Sequence, residues 1–179
     1  IGTSQWLVNP LSAPAGAGKT HSLQALRTAA HRAHKEVLVL APTGTAVDQA
    51  LADGAGDHGM TLDKALHQLD TGTLALDQRT VVIVDEASMV ATPKLRQLLE
   101  TTTTARAKTV LVGDPYQLAP VKARGGMFDQ LCAELPWTQR LSQVWRMHDP
   151  AERDAREKQI AAFLRAGHDF ATARAWVNA

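Results

Sequence analysis

The chain has 179 residues, 45% of them hydrophobic, with a formal net charge of +1 and a single cysteine. That length suits one domain with a real core, residues 1–179 as one unit. The near-zero charge excludes a bulk attraction for nucleic acid, and the lone Cys132 excludes an internal disulfide framework. No apolar run approaches a membrane span and no secretory leader is evident, so a reducing cytoplasm and no membrane insertion are expected.

In chain order, Trp6-Leu7-Val8 and Leu11 read as a strand leading into Ala13-Pro14-Ala15-Gly16-Ala17-Gly18-Lys19-Thr20. That stretch reads as a phosphate-binding loop: glycines let backbone N–H groups turn inward around phosphates. Lys19 adds a mobile positive charge, and Thr20 places a hydroxyl where Mg²⁺ would sit at a helix N-terminus. The usual pattern opens with glycine, where this chain has Ala13. Residues 21–34 then read as a helix, with Leu23, Leu26 and Ala30 at helical spacing. Apolar runs at 37–40, 81–84 and 110–112 suit strands buried on both faces of a parallel sheet. Helices are expected at about 46–52, 62–69 and 94–100, with Thr101 to Thr104 as a loop. Cys132 reads as a buried thiol in a helix around 128–135. Residues 137–141 read as a further strand and 151–165 as a charged amphipathic helix. The alternation argues for a doubly wound, mostly parallel α/β sheet with ligands beyond the carboxyl ends of the strands.

The chemistry gathers at those ends. Asp85-Glu86 follows the second apolar run directly. One carboxylate there can hold Mg²⁺ and the other can orient or deprotonate water; taken alone, the pair reads equally well as a helix cap. Gly113-Asp114-Pro115-Tyr116-Gln117-Leu118 follows the third run, and Gln117 can both donate and accept near a terminal phosphate. In isolation it is an ordinary turn. His31 and His34 lie three apart on a helix, a metal-capable spacing, but read as solvated helix-end histidines.

Four segments occur in one order: Ala13 to Thr20, Ala41-Pro42-Thr43-Gly44-Thr45-Ala46, Asp85-Glu86-Ala87-Ser88 and Gly113 to Leu118. Together they resemble motifs I, Ia, II and III of superfamily 1 DNA helicases in the RecD-like branch. The text around Lys19, with Gln143-Val144-Trp145-Arg146 and Glu152-Arg153, resembles the helicase part of TraI/TrwC-type conjugative relaxases. The resemblance implies a RecA-like P-loop NTPase domain that uses ATP and Mg²⁺. It implies that Pro14, Ala15, Gly16, Ala17, Gly18, Lys19, Thr20 and His21 line the nucleotide. Thr20 and Asp85 would hold the metal, and Lys19, Glu86, Gln117 and Arg146 would serve catalysis. Thr43 and Thr61 would contact single-stranded DNA, although Asp63 stands where family members often carry histidine.

Nothing in the chain matches motifs V and VI of a second RecA-like domain or a relaxase tyrosine with its histidines. The chain opens on Ile1 and reads as a piece of a longer parent carrying both. The expected function is therefore one motor half of a helicase in conjugative DNA transfer, slow or inactive alone. A nucleotide- or strand-binding module without independent catalysis is the alternative.

Overall fold

The computed structural model describes residues 4–14, 17–114 and 126–141. In chain order these form β1 (Val8–Ser12), α1 (Lys19–Arg32), β2 (Glu36–Ala41), α2 (Gly44–Ala52), β3 (His58–Thr61), α3 (Leu62–Asp70) and β4 (Thr80–Val84). A short 3-10 turn at Ala87–Met89 follows, then α4 (Thr92–Thr104), β5 (Lys108–Gly113), α5 (Met127–Glu134) and β6 (Gln139–Arg140). The strands make one six-stranded sheet in the order β3-β2-β4-β5-β1-β6. Each pairing in it is parallel.

The uninterrupted apolar runs exist because both sheet faces are covered. Successive side chains alternate between faces. Val37, Val39, Val81, Ile83, Val110 and Val112 therefore pack with Leu23, Leu26 and Ala30 of α1 and Ala50 of α2. Leu38, Leu40, Val82, Val84 and Leu111 meet Leu62, Leu66, Leu95, Leu98 and Phe128 of α3, α4 and α5 on the other face. The expected doubly wound parallel sheet is what the chain forms.

Four local expectations change. Thr101 to Thr104 are helical, the end of α4, and not a loop. Thr101 and Thr104 turn their hydroxyls back onto the carbonyls of Gln97 and Glu100, at 2.9 and 2.8 Å, while Thr102 is fully buried. The edge strand β3 carried no strand signature, because it is four residues long and includes Gly59. Gly59 is there for space: a Cβ would lie 2.8 Å from Val47 Cγ1 and 3.0 Å from the Val39 carbonyl oxygen. Strand β1 starts at Val8 and not at Trp6, whose ring stacks on Trp137 with centroids 4.3 Å apart. The last strand is only Gln139–Arg140.

Pro10 stands inside β1, where a missing N–H would normally break a ladder. The Ala13 N–H donates to Gly113 of β5, whereas the Ser12 and Val8 carbonyls receive Leu141 N–H and Trp137 Nε1–H from the β6 side. Pro10 shares the orientation of Ser12 and Val8, and β6 pairs only with Leu11 and Ser12. The missing donor therefore faces a stretch of edge that β6 does not reach.

Because every strand runs the same way, their carboxyl ends share one edge. The segments after Ser12, Ala41, Thr61, Val84 and Gly113 all open there. The expected helix at 151–165 lies outside the described residues.

Candidate nucleotide site

Helix α1 begins with an N-terminus built for an anion. Its N-cap, Gly18, holds φ 84° and offers no side-chain cap, and its first turn carries no acidic residue. The opening N–H groups and the positive end of the helix dipole thus stay available to an oxyanion ligand. The next residue, Lys19, sends its ammonium across to β4, donating to Asp85 Oδ1 at 2.9 Å and Oδ2 at 3.1 Å. The lysine side chain is partly exposed and the Asp85 carboxylate almost wholly buried.

Asp85 is held from two further directions. Its backbone N–H donates to the Leu40 carbonyl at 2.8 Å, and its Oδ1 accepts the Glu86 N–H at 2.9 Å. Asp85 is thus no helix cap. Glu86 takes a left-handed conformation, φ 53° and ψ 38°, which a residue with a Cβ seldom adopts. Strain of this kind gathers where a side chain must be aimed. The Glu86 carbonyl then accepts the Met89 N–H at 2.9 Å and closes the 3-10 turn.

Thr20 contacts a residue the sequence did not single out. Its hydroxyl donates to Asp53 Oδ2 at 3.4 Å, while Gln49 Nε2 donates to Asp53 Oδ1 at 2.9 Å. Lys19 and Asp85 come together, with Glu86 adjoining them in sequence; Thr20, expected beside Asp85 at a metal, instead turns its hydroxyl to Asp53. Among the other expected nucleotide residues, Pro14 accepts the Ala17 N–H at 3.0 Å and His21 is exposed on α1. Ala15, Gly16, Gln117 and Arg146 lie outside the described residues.

Thr43 and Thr61 occupy equivalent places on neighbouring strands. Thr43 follows β2 and accepts the Ala46 N–H at 3.2 Å, capping α2. Thr61 ends β3 and accepts the Lys64 N–H at 3.4 Å, capping α3. Each hydroxyl keeps its own proton for another acceptor. Asp63 is not left as a bare negative charge, since Lys94 of α4 donates to it at 2.6 Å.

Two other expectations resolve away from this edge. Cys132 is buried in α5, and burial chiefly, with Asp129, pushes its thiol up to about 11, so it is inert. His31 is more than a solvated helix-end residue, because its Nε2 lies 2.8 Å from Asp57 Oδ1. Among the described residues no group of three His, Cys, Asp or Glu side chains is placed to hold a metal. The donor set around Lys19 and Asp85 has the chemistry that a phosphate chain with its Mg²⁺ would need, although the Thr20 hydroxyl is turned to Asp53. The set combines an uncapped helix N-terminus, an ammonium, a hydroxyl and a buried carboxylate.

Residues 1–178 match the family described as AAA domain. The chain is 36% identical over 141 residues to a probable conjugal transfer protein TraA of Sinorhizobium fredii, a match covering 79% of this chain and 12% of the relative. It is also 36% and 35% identical to the conjugal transfer proteins TraA of Rhizobium radiobacter and Agrobacterium fabrum, with the same coverage. The chain thus spans 12% of the length of these curated relatives. Among solved structures, the helicase domain of Pyrococcus furiosus Hef aligns with a TM-score of 0.55 at 13% identity, covering 89% of this chain and 43% of that one, which speaks for the fold. With its parallel sheet and helices on both faces, the chain belongs to the family described as AAA domain, and its ordered motifs resemble those of RecD-like superfamily 1 helicases.

Proposed function

We propose that this domain binds Mg-ATP at the carboxyl edge of its sheet and, within a longer parent chain, couples hydrolysis to movement along single-stranded DNA during conjugative transfer. The observation that carries this reading is the Lys19–Asp85 pair at 2.9 Å with Glu86 fixed beside it. Lys19 and the N-terminus of α1 would bind the phosphates, and Thr20 and Asp85 would hold Mg²⁺, which supplies positive charge against the phosphate oxygens. Glu86 accepts the proton of the attacking water. Gln117 and Arg146 enter through the family resemblance, as a sensor of the terminal phosphate and a neutraliser of transition-state charge. Thr43 and Thr61 contact the strand's phosphates, which positions DNA without reading its sequence.

Catalysis of this kind needs charge from two facing walls, and this chain supplies one of them. The second RecA-like domain and a relaxase domain of the parent are its expected partners, in the cytoplasm. ATP turnover by the isolated chain is therefore slow or absent. The test uses the parent protein, with ATPase activity measured with and without single-stranded DNA. Wild type should be stimulated by DNA, and Lys19→Ala and Glu86→Gln should each abolish the stimulated rate. Wild-type turnover indifferent to DNA would sink the motor reading.

A further inference from the structure

Strand β5 lies between β1 and β4, so its last residue stands between the phosphate loop and the acidic turn. That residue, Gly113, touches both. Its carbonyl accepts the N–H of Ala13, at the mouth of the loop, at 2.8 Å. On its other side a Cβ would lie 3.0 Å from the backbone nitrogen of Ser88, and 3.0 and 3.3 Å from Phe128 Cε1 and Cζ. Phe128 is 1% exposed and has little room to retreat. The Ser88 nitrogen belongs to the turn that the Glu86 carbonyl closes with Met89 N–H. A push on Ser88 is therefore a push on Glu86.

The acidic turn is not held here by Ser88's own side chain. Its hydroxyl is buried and has no hydrogen-bond partner among the described residues. On the opposite side Gly126 is looser: a Cβ there would be 3.7 Å from the Ser88 carbonyl oxygen, an ordinary contact.

We propose that Gly113 is a positioning residue, which sets the distance between the phosphate loop and the Glu86 carboxylate by admitting the Ser88 backbone to direct contact with β5. The proposal rests on the ATPase reading above. One added methyl at this point requires the Ser88 backbone or the Phe128 ring to give by a few tenths of an ångström, and neither Lys19 nor the head of α1 is among its nearest neighbours. Small misplacements of a catalytic group cost rate out of proportion to their size.

The experiment measures DNA-stimulated ATPase of the parent protein for wild type, Gly113→Ala, Gly126→Ala and the double variant Gly113→Ala with Phe128→Leu. Gly113→Ala should lower kcat by about tenfold or more with KM for ATP within about twofold, and Gly126→Ala should match wild type. The double variant relieves the ring contact but not the backbone contact, so its kcat should stay low even if the single variant folds poorly. An unchanged kcat in Gly113→Ala, a loss confined to KM, equal loss in Gly126→Ala, or recovery in the double variant would each overturn the proposal. Failure of both Gly113 variants to fold would assign the glycine to the core alone and overturn it too. A wild type without turnover removes the ATPase reading and this inference together; an active wild type equalled by Gly113→Ala removes only this one.

Discussion

Asp57 binds together three elements that the sequence leaves far apart. Its carboxylate accepts Arg27 Nε–H at 2.9 Å, lies 2.8 Å from His31 Nε2, and receives the Val37 N–H at 2.8 Å. Helix α1, the start of β2 and the approach to β3 thereby meet on one side chain. Partial burial pushes this carboxyl upward, but the donors from His31, Val37 and Arg27 outweigh it and hold the group at about 2, below the ordinary 3.8. A depressed carboxylate stabilises the fold fully above its unfolded value and loses that contribution as pH falls through its folded value. The window is therefore pH 4 down to 2, and solvent screening keeps the expected contribution to about 1 kcal/mol. Denaturant titrations of wild type and Asp57→Asn should show wild type more stable at pH 6 and the difference closing across that window. A difference independent of pH would contradict the assignment.

At the scale of elements, α2 and α3 are alike. Each is nine residues long, each follows a parallel strand, and each is capped by the threonine at its head. Replacing either threonine with alanine removes a cap, at a cost of about 1 kcal/mol. Serine keeps the hydroxyl and should keep most of that stability. If the same hydroxyls also meet DNA phosphates, Thr43→Ala and Thr61→Ala in the parent should weaken single-strand binding to a similar degree for every sequence. A loss that depended on base sequence, measured by fluorescence anisotropy, would point to base contact instead. The element scale also separates what could be read from the chain from what could not. Val81 to Val84 announced β4 because a strand covered on both faces needs no polar residue. Edge strand β3, with one partner and Gly59, offered no comparable run, and the threonine run misled because the hydroxyls of Thr101, Thr102 and Thr104 are satisfied by the helix itself.

Across the whole molecule, the parallel sheet explains why several candidate residues could be assigned to one edge from the sequence. Each strand delivers its following segment to the same edge, so Lys19, Thr43 and Asp85 needed only to follow a strand, and Gly113 only to end one, to be placed there. What stayed hidden depends on strand order. That β5 separates β1 from β4, and that Asp53 meets Thr20, arise from packing between segments distant in sequence. The Asp57 contacts share that origin.

The Lys19–Asp85 pair carries one more consequence. The carboxylate already occupies the ammonium that phosphates would seek, so under the proposed function Asp85 competes with the nucleotide for Lys19. On that reading an incoming polyphosphate would draw Lys19 away and leave the Asp85 carboxylate, in a residue 5% exposed, facing chiefly the Glu86 N–H among the described residues. Burying an unmatched carboxylate is costly, and a divalent cation arriving with the nucleotide cancels that cost. Nucleotide and Mg²⁺ should accordingly bind as a pair: chelating Mg²⁺ with EDTA should weaken binding of a fluorescent ATP analogue in wild type far more than in Asp85→Asn. Equal weakening in both proteins would show that the carboxylate does not compete.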